Sequence, residues 1–411
     1  MSFLAHLLRP LDQASFAKEI DRELAKRGQS KGIRVDAQEL VLHFGDDRTF
    51  YLGNLYEEYR RTGAFRRARV FEFVIQQALA TAPEVPEDFL AARKGLMPSV
   101  RDPLTFDLQR LRLPVQAPGA DASKLDPVWQ PLGDDYSVSL VFDGPQTMSY
   151  LNRDQFKTWD VPFERALEYA LDNLAARPFR QVLASKGLWG FDTSDSYDSA
   201  RLLLLDLMRS LDLRGRPVAV IPNRELLLVA GEDDPEGLEA LVELATERFN
   251  HPRCIGTAPL VLDGDTWRAF RPDGDDPLHV QLRNMSVRNL GTRYAEQKQV
   301  LEKLQEQVQE GPRVVADSLG FVKEATQVLH TYCIWGAGVP TLLPRTEWVA
   351  LVKGEIVSGD PGSWALYPWD AVLAEAGPLM KAQGLTPERW AVDGFPSSES
   401  LARLAPHAVT L

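Results

Sequence analysis

The chain predicts an α+β fold: antiparallel sheets built from β-hairpins, each followed by a helix, in two to three domains. Three observations carry this. Short apolar runs come in pairs around turn-forming Gly, Asn or Asp residues. Helical periodicity follows most of those pairs. The 411 residues exceed what one core usually holds, since domains run to roughly 100–200 residues. Strand pairs alternating with single helices indicate sheets covered on one face, not a doubly wound parallel sheet.

In chain order, residues 40–44 and 49–52 flank the turn Gly45-Asp46-Asp47-Arg48 within an N-terminal α+β domain, 1–112. Leu113-Pro114-Val115-Gln116-Ala117-Pro118-Gly119-Ala120 has no periodicity and is read as part of a linker, 113–127. A second domain, 128–250, opens with a hairpin of 137–142 and 147–151, whose Asp143-Gly144 supplies the turn chemistry. Phe163, Ala166, Leu167, Ala170, Leu171 and Leu174 then form one apolar stripe, with Asp160 expected as N-cap and Pro162 in the first turn. The hairpin of 217–221 and 225–230 turns at Pro222-Asn223-Arg224 and precedes a helix marked by Leu238, Leu241, Val242, Ala245 and Phe249. A boundary is expected at His251-Pro252. The C-terminal domain, 251–411, holds a hairpin of 260–262 and 266–270 and a helix at 294–309 that Gly311-Pro312 would stop. In its last strand pair, 348–352 is expected to meet 355–357 across Lys353-Gly354. Five of the nine Trp lie in this domain between Trp335 and Trp390.

Composition is ordinary for a globular protein, 44% apolar and 25% charged, which argues against a disordered or membrane-embedded chain. With 46 Lys+Arg against 58 Asp+Glu the formal charge is −12, so the overall field repels polyanions and no nucleic-acid partner is expected. Apolar runs stay well short of the roughly 18 residues that span a bilayer. Two cysteines, Cys254 and Cys333, are too few for a disulfide framework, and the first ten residues read as lacking an export signal, so the expected compartment is the cytoplasm.

Chemistry-bearing motifs are sparse. Neither phosphate-loop pattern occurs, and no cofactor is expected. His251-Pro252-Arg253-Cys254 offers two ligands at most, short of a metal site, and none is expected. The run of Arg60, Arg61, Arg66, Arg67 and Arg69 around Phe65 reads as a solvated helix face or an acidic-ligand patch. The densest polar cluster runs from Phe191 through Asp192-Thr193-Ser194-Asp195-Ser196-Tyr197-Asp198-Ser199-Ala200-Arg201 into Leu202-Leu203-Leu204-Leu205. Its hydroxyls and carboxylates read first as caps for a following helix, and a Ser lacking a partnered His lacks the base that would activate it. The C-terminal Trp cluster reads either as a stitched core or as an aromatic groove for a peptide.

Three segments resemble the YtpQ-like family of bacterial proteins, a domain of unknown function: Ala166-Leu167 with Ala170-Leu171-Asp172-Asn173-Leu174, then Tyr197-Asp198-Ser199-Ala200-Arg201-Leu202-Leu203-Leu204, then Val220-Ile221-Pro222-Asn223-Arg224-Glu225-Leu226-Leu227-Leu228-Val229. The similarity is best over about 131–249. It implies a bacterial cytoplasmic α+β protein and transfers no catalytic residues.

The leading reading is a non-catalytic peptide- or protein-binding adaptor, able to present a substrate peptide to a modifying enzyme, because sheet edges accept extended peptides through main-chain hydrogen bonds. Its candidate binding residues are Tyr197, Asp198, Arg201, Arg224 and Trp348, with Arg201 and Arg224 expected close together and the Trp348 ring half-exposed beside a strand edge. The alternative is a hydrolase or transferase using carboxylates and Arg in the 192–225 region. A third reading is a homo-oligomer joined through the 294–309 helix.

Overall fold

In a computed structural model of the chain, residues 9–28, 33–38, 40–44, 48–80, 83–116, 126–144, 147–185, 187–193, 195–249, 254–307, 313–354 and 364–409 are described. The architecture is α+β. The N-terminal part packs helices α1 (Gln13–Lys26), α2 (Gly53–Arg61) and α3 (Ala64–Leu79) on an antiparallel sheet of β1 (Ile33–Asp36), β2 (Val41–Phe44) and β3 (Arg48–Tyr51). Asp12 caps α1 by accepting from the Ser15 N–H at 2.7 Å. Phe16, Ile20 and Leu24 then fall on one face and are buried with Leu42, Tyr59 and Ile75.

The central part begins with α4 (Phe89–Ala92), β4 (Leu96–Arg101) and α5 (Leu104–Gln116), followed by β5 (Trp129–Leu132), β6 (Tyr136–Asp143), β7 (Met148–Tyr150), α6 (Arg153–Trp159) and α7 (Phe163–Ala176). After these come β8 (Gln181–Ser185), β9 (Leu188–Phe191), a 3₁₀ turn (Asp198–Leu203), α8 (Leu205–Ser210), β10 (Pro217–Asn223), β11 (Leu226–Gly231), α9 (Pro235–Phe249), β12 (Leu260–Asp263) and β13 (Thr266–Ala269). β4-β6-β5 forms one sheet, with β7 also on β6; β13-β12-β10-β11-β9-β8 forms a second, antiparallel throughout. The stripe of α7 buries Phe163, Ala166, Ala170 and Leu174 in a core shared by both sheets.

Several expectations are corrected here. Residues 113–116 complete α5 instead of opening a linker, and β4 pairs with β6 across the expected linker, from Leu96↔Phe142 to Arg101↔Ser137. A loss of periodicity marks where an element ends; it does not mark where a strand finds its partner. The boundary expected at 250/251 is bridged likewise, since β12 pairs with β10 through Val218↔Val261 and Ala219↔Leu260. His251 and Pro252 themselves lie outside the described residues. Asp160 does not cap α7: it ends α6 in the left-handed conformation at φ 52°, and Pro162 takes the N-cap position without a side-chain hydrogen bond. The apolar run after the polar cluster forms the 3₁₀ turn and only then the short α8.

The C-terminal part starts with α10 (Pro277–Gln307), which begins 17 residues before the helix expected from the sequence. At 31 residues it is about 46 Å long. It leads into β14 (Val314–Val315), β15 (Leu319–Lys323), β16 (Val328–Gly336), β17 (Thr341–Pro344), β18 (Trp348–Val352), β19 (Trp364–Pro368), α11 (Trp369–Ala376), β20 (Met380–Ala382), β21 (Arg389–Val392) and α12 (Ser398–Leu404). Two four-stranded sheets, β14-β17-β21-β20 and β15-β16-β18-β19, enclose Cys333, Trp335, Leu343, Val349, Leu351 and Val392 together with Trp369. Two pairings depart from the antiparallel expectation, β14 with β17 and β16 with β18. For the second the cause is topological: the chain leaves β16, runs through β17 in the other sheet, and re-enters as β18 in its original direction. The expected partner of β18, 355–357, lies outside the described residues, and β18 is flanked by β16 and β19. No described helix is long and apolar enough to cross a membrane.

Candidate functional site

The polar cluster, of which Ser194 lies outside the described residues, runs from the end of β9 into the 3₁₀ segment, and Arg224 stands on the β10–β11 hairpin beside it. The hairpin is tightened by Asn223, whose side chain accepts from the Glu225 N–H at 2.9 Å. The Arg224 carbonyl in turn accepts from the Ser199 N–H at 3.3 Å, joining the two loops. Arg201 is fully buried. It grips Asp195 with both terminal nitrogens, at 3.0 and 2.7 Å, and Asp198 at 2.8 Å, with its guanidinium 5.6 Å from the Phe179 ring centroid. Asp198 is equally buried and uses its other oxygen to accept from the Thr193 N–H at 2.9 Å. Both residues therefore shape the loop from behind, and a ligand would meet the groups they hold forward.

Those groups border a cavity of about 540 Å³ between the N-terminal helices and the central sheets. Phe50, Phe73 and Met148 contribute apolar lining, and Asp143, Arg177, Asp195, Ser196, Tyr197 and Arg224 contribute polar lining. Arg177 pairs with Asp143 and lies 4.9 Å from the Tyr197 ring centroid. Arg224 reaches Glu225 at 3.7 Å. Ser196 holds φ 74°, a conformation rarely taken by a residue with a side chain. Burial acts to raise the Asp195 carboxyl, but the hydrogen bonds from Arg201 and the Tyr197 N–H, with the charges of Arg201 and Arg177, hold it below the usual range. Burial, with the Asp143 carboxylate nearby, pushes the Tyr197 phenol far above its usual value.

Trp348 lies in a different sheet from this cavity. It stacks on His330 with ring centroids 4.8 Å apart and 15° between planes, and Phe321 follows at 5.6 Å. The ring is partly buried on the sheet face opposite the core. Its strand is internal, so it has no free edge beside it, which corrects that expectation. The Trp cluster divides: Trp335 is fully buried with its N–H on the Gly394 carbonyl at 3.0 Å, Trp369 packs against Trp390 at 5.0 Å, and Trp364 on β19 is 39% exposed.

A second polar cavity, of about 310 Å³, was not legible in the sequence. Arg293 on α10 reaches Asp102 at 3.0 Å and Asp135 at 3.5 Å, and Asp102, Arg293, Asn289, Glu296 and Cys254 line the space. Burial raises the Asp102 carboxyl to about 6 despite Arg293, raises Glu296, and pushes the Cys254 thiol up to about 11, away from a reactive thiolate. Asp102, Asp135 and Arg293 are too far apart in the chain for any spacing to announce them. Among the described residues no group of three or more His, Cys, Asp or Glu could hold a metal ion. No family model matches the chain, and neither a curated protein nor a solved structure matches it.

Proposed function

We propose that this protein is a non-catalytic, cytoplasmic peptide- or protein-binding adaptor that holds a segment of its partner in the cavity between the N-terminal helices and the central sheets, in position for a modifying enzyme. The observation that carries the reading is the mixed lining of the cavity, which combines apolar Phe50, Phe73 and Met148 with polar Arg177, Tyr197 and Arg224. Apolar area supplies affinity and a few placed polar groups supply orientation, the usual division of labour in a binding site. The protonation energetics favour binding over proton transfer. A carboxylate held below its usual range is a weak base, a phenol held above its usual range is a weak acid, and proton transfer at neutral pH calls for groups near 7. Asp195 and Tyr197 are therefore suited to binding rather than to proton transfer near neutral pH.

Selection of peptides from a random displayed library tests the proposal. Selected peptides are expected to lose roughly tenfold in affinity or more in Arg224→Ala, about 1.4 kcal/mol. Failure to select any binder, or binders indifferent to Arg224→Ala and Phe73→Ala, would refute it.

A further inference from the structure

The six-stranded sheet ends in β8, and its other edge is β13. On β13, Arg268 is paired with Asp263 at 3.2 Å, a charge of the kind that discourages strand addition. Within β8 itself there is neither charge nor proline: its sequence is Gln-Val-Leu-Ala-Ser, and four of its five residues are exposed. Leu183 is 58% exposed and Phe179, just before the strand, 37%.

The backbone of β8 can be followed group by group. The Arg180 carbonyl accepts from the Asp192 N–H at 3.4 Å, which makes 180 and 192 a hydrogen-bonded antiparallel pair. Such pairs alternate, so the next is Val182↔Gly190, and the N–H and C=O groups of Gln181 and Leu183 point away from β9. The register shifts between Leu183 and Ser185, which ends the regular edge there. An incoming strand is thereby limited to about five residues over 179–183.

Arg180 decides what kind of strand this is. Its side chain is exposed and takes part in none of the described ion pairs, and its N–H is held by the Thr193 hydroxyl at 2.9 Å, which fixes where the guanidinium starts. The strand begins four residues after Arg177, which lines the cavity. A second copy paired antiparallel on this edge would bring the two Arg180 cations toward each other, and the carboxylate nearest to each in the ladder, Asp192, lies on the far side, on the β9 side of Arg180. Charge complementarity favours a segment carrying an acidic group at that end.

We infer that β8 is an acceptor edge: an extended partner segment, apolar where it meets Phe179 and Leu183 and acidic where it passes Arg180, adds to the sheet as a seventh strand. This rests on the peptide-binding reading and names the mode and chemistry of the peptide.

The probe is a fluorescein-labelled peptide, acetyl-Thr-Ile-Thr-Val-Glu-Glu, with a Lys-Lys ending as its charge control, followed by anisotropy. Leu183→Pro removes an N–H that the β8–β9 ladder does not use, so the edge tolerates it; Leu183→Thr keeps the N–H and the strand preference. Leu183→Thr is expected to bind within about threefold of the parent, Leu183→Pro to lose roughly tenfold or more, and Arg180→Glu to prefer the Lys-Lys peptide. Circular dichroism and melting temperature verify that each variant is folded. If the folded Pro variant binds like the parent while Arg224→Ala loses binding, the edge inference is overturned and the cavity reading stands. Retention in both variants overturns both, and failure of the parent to bind either probe overturns the edge inference alone, since the library selection judges the cavity separately. A parent dimer that Leu183→Pro converts to monomer in light scattering would assign the edge to a second copy and overturn the acidic partner.

Discussion

Replacing Arg389 by Lys should loosen the join between α10 and the C-terminal sheets, and the size of the effect follows from its contacts. The guanidinium is fully buried. Its Nε donates to the Gln297 side chain at 2.6 Å, one terminal nitrogen to the Ala316 and Leu342 carbonyls at 2.8 and 3.2 Å, and the other to the Tyr294 carbonyl at 3.0 Å. It also lies 5.1 Å from the Tyr294 ring centroid, and burial lowers its hold on its proton to about 10. The planar fork thus satisfies acceptors on α10, on β17 and just after β14 at once. An ammonium donates from a single point and cannot span them. With two acceptors left dry at about 1–3 kcal/mol each, the loss is about 2–6 kcal/mol, and about 3 is the central expectation. Arg389→Met, which removes the cation and serves none of the four acceptors, is expected to lose more. The chain has several cores, so one unfolding free energy is a poor reporter. Amide hydrogen exchange over 294–297, alongside urea unfolding, reads the join directly. A Lys variant within about 0.5 kcal/mol of the parent, with exchange over 294–297 unchanged, would refute the assignment of this join to the fork.

Asp102→Asn is expected to flatten the pH dependence of stability. Burial raises the folded-state value from 3.8 to about 6, so the contribution is full below about pH 4 and is lost as pH rises through 6, about 3 kcal/mol in all. Urea midpoints at pH 4, 5, 6 and 7 check this, and parallel curves for parent and variant would contradict it. Leu301→Asp is expected to cost at least the roughly 2–5 kcal/mol of a lost buried side chain, because Leu301 packs with Val315, Leu342 and Ala391; a change under about 0.5 kcal/mol in urea unfolding would mean that this seam is not buried.

The hairpins were legible because their turn residues and alternation are local: β2–β3, β6–β7, β10–β11 and β12–β13 all pair as antiparallel neighbours. Pairings between strands distant in sequence, such as β4 with β6 and β16 with β18, are decided by which faces must be buried together, and no local pattern encodes that. The first half of α10 was hidden for a related reason. Buried Val280, Leu282 and Met285 are interleaved with buried Asn284, Asn289 and Arg293, so a helix packed on several sides shows no single stripe. In the candidate site, the Ser199 N–H meets the Arg224 carbonyl, so the polar cluster and the Arg224 hairpin are neighbours. What could not be read was that Arg201 faces inward, which depends on Asp195 and Asp198 closing on it in space.

The Arg389 fork also sets an order of events during synthesis. Its acceptor Gln297 precedes it by 92 residues, so at about 5–20 residues added per second the Tyr294–Gln297 turn waits about 5–20 s for the guanidinium that will cover it. During that interval water must serve the Gln297 amide oxygen and the waiting carbonyls, and this stretch of α10 cannot settle in its final dry surroundings. The central sheets need no such delay, because every strand they contain has been made by residue 269. The nascent chain is therefore expected to carry paired central sheets, still awaiting the Arg293 partner of Asp102 and Asp135, ahead of an open C-terminal sandwich closed late by one side chain on β21.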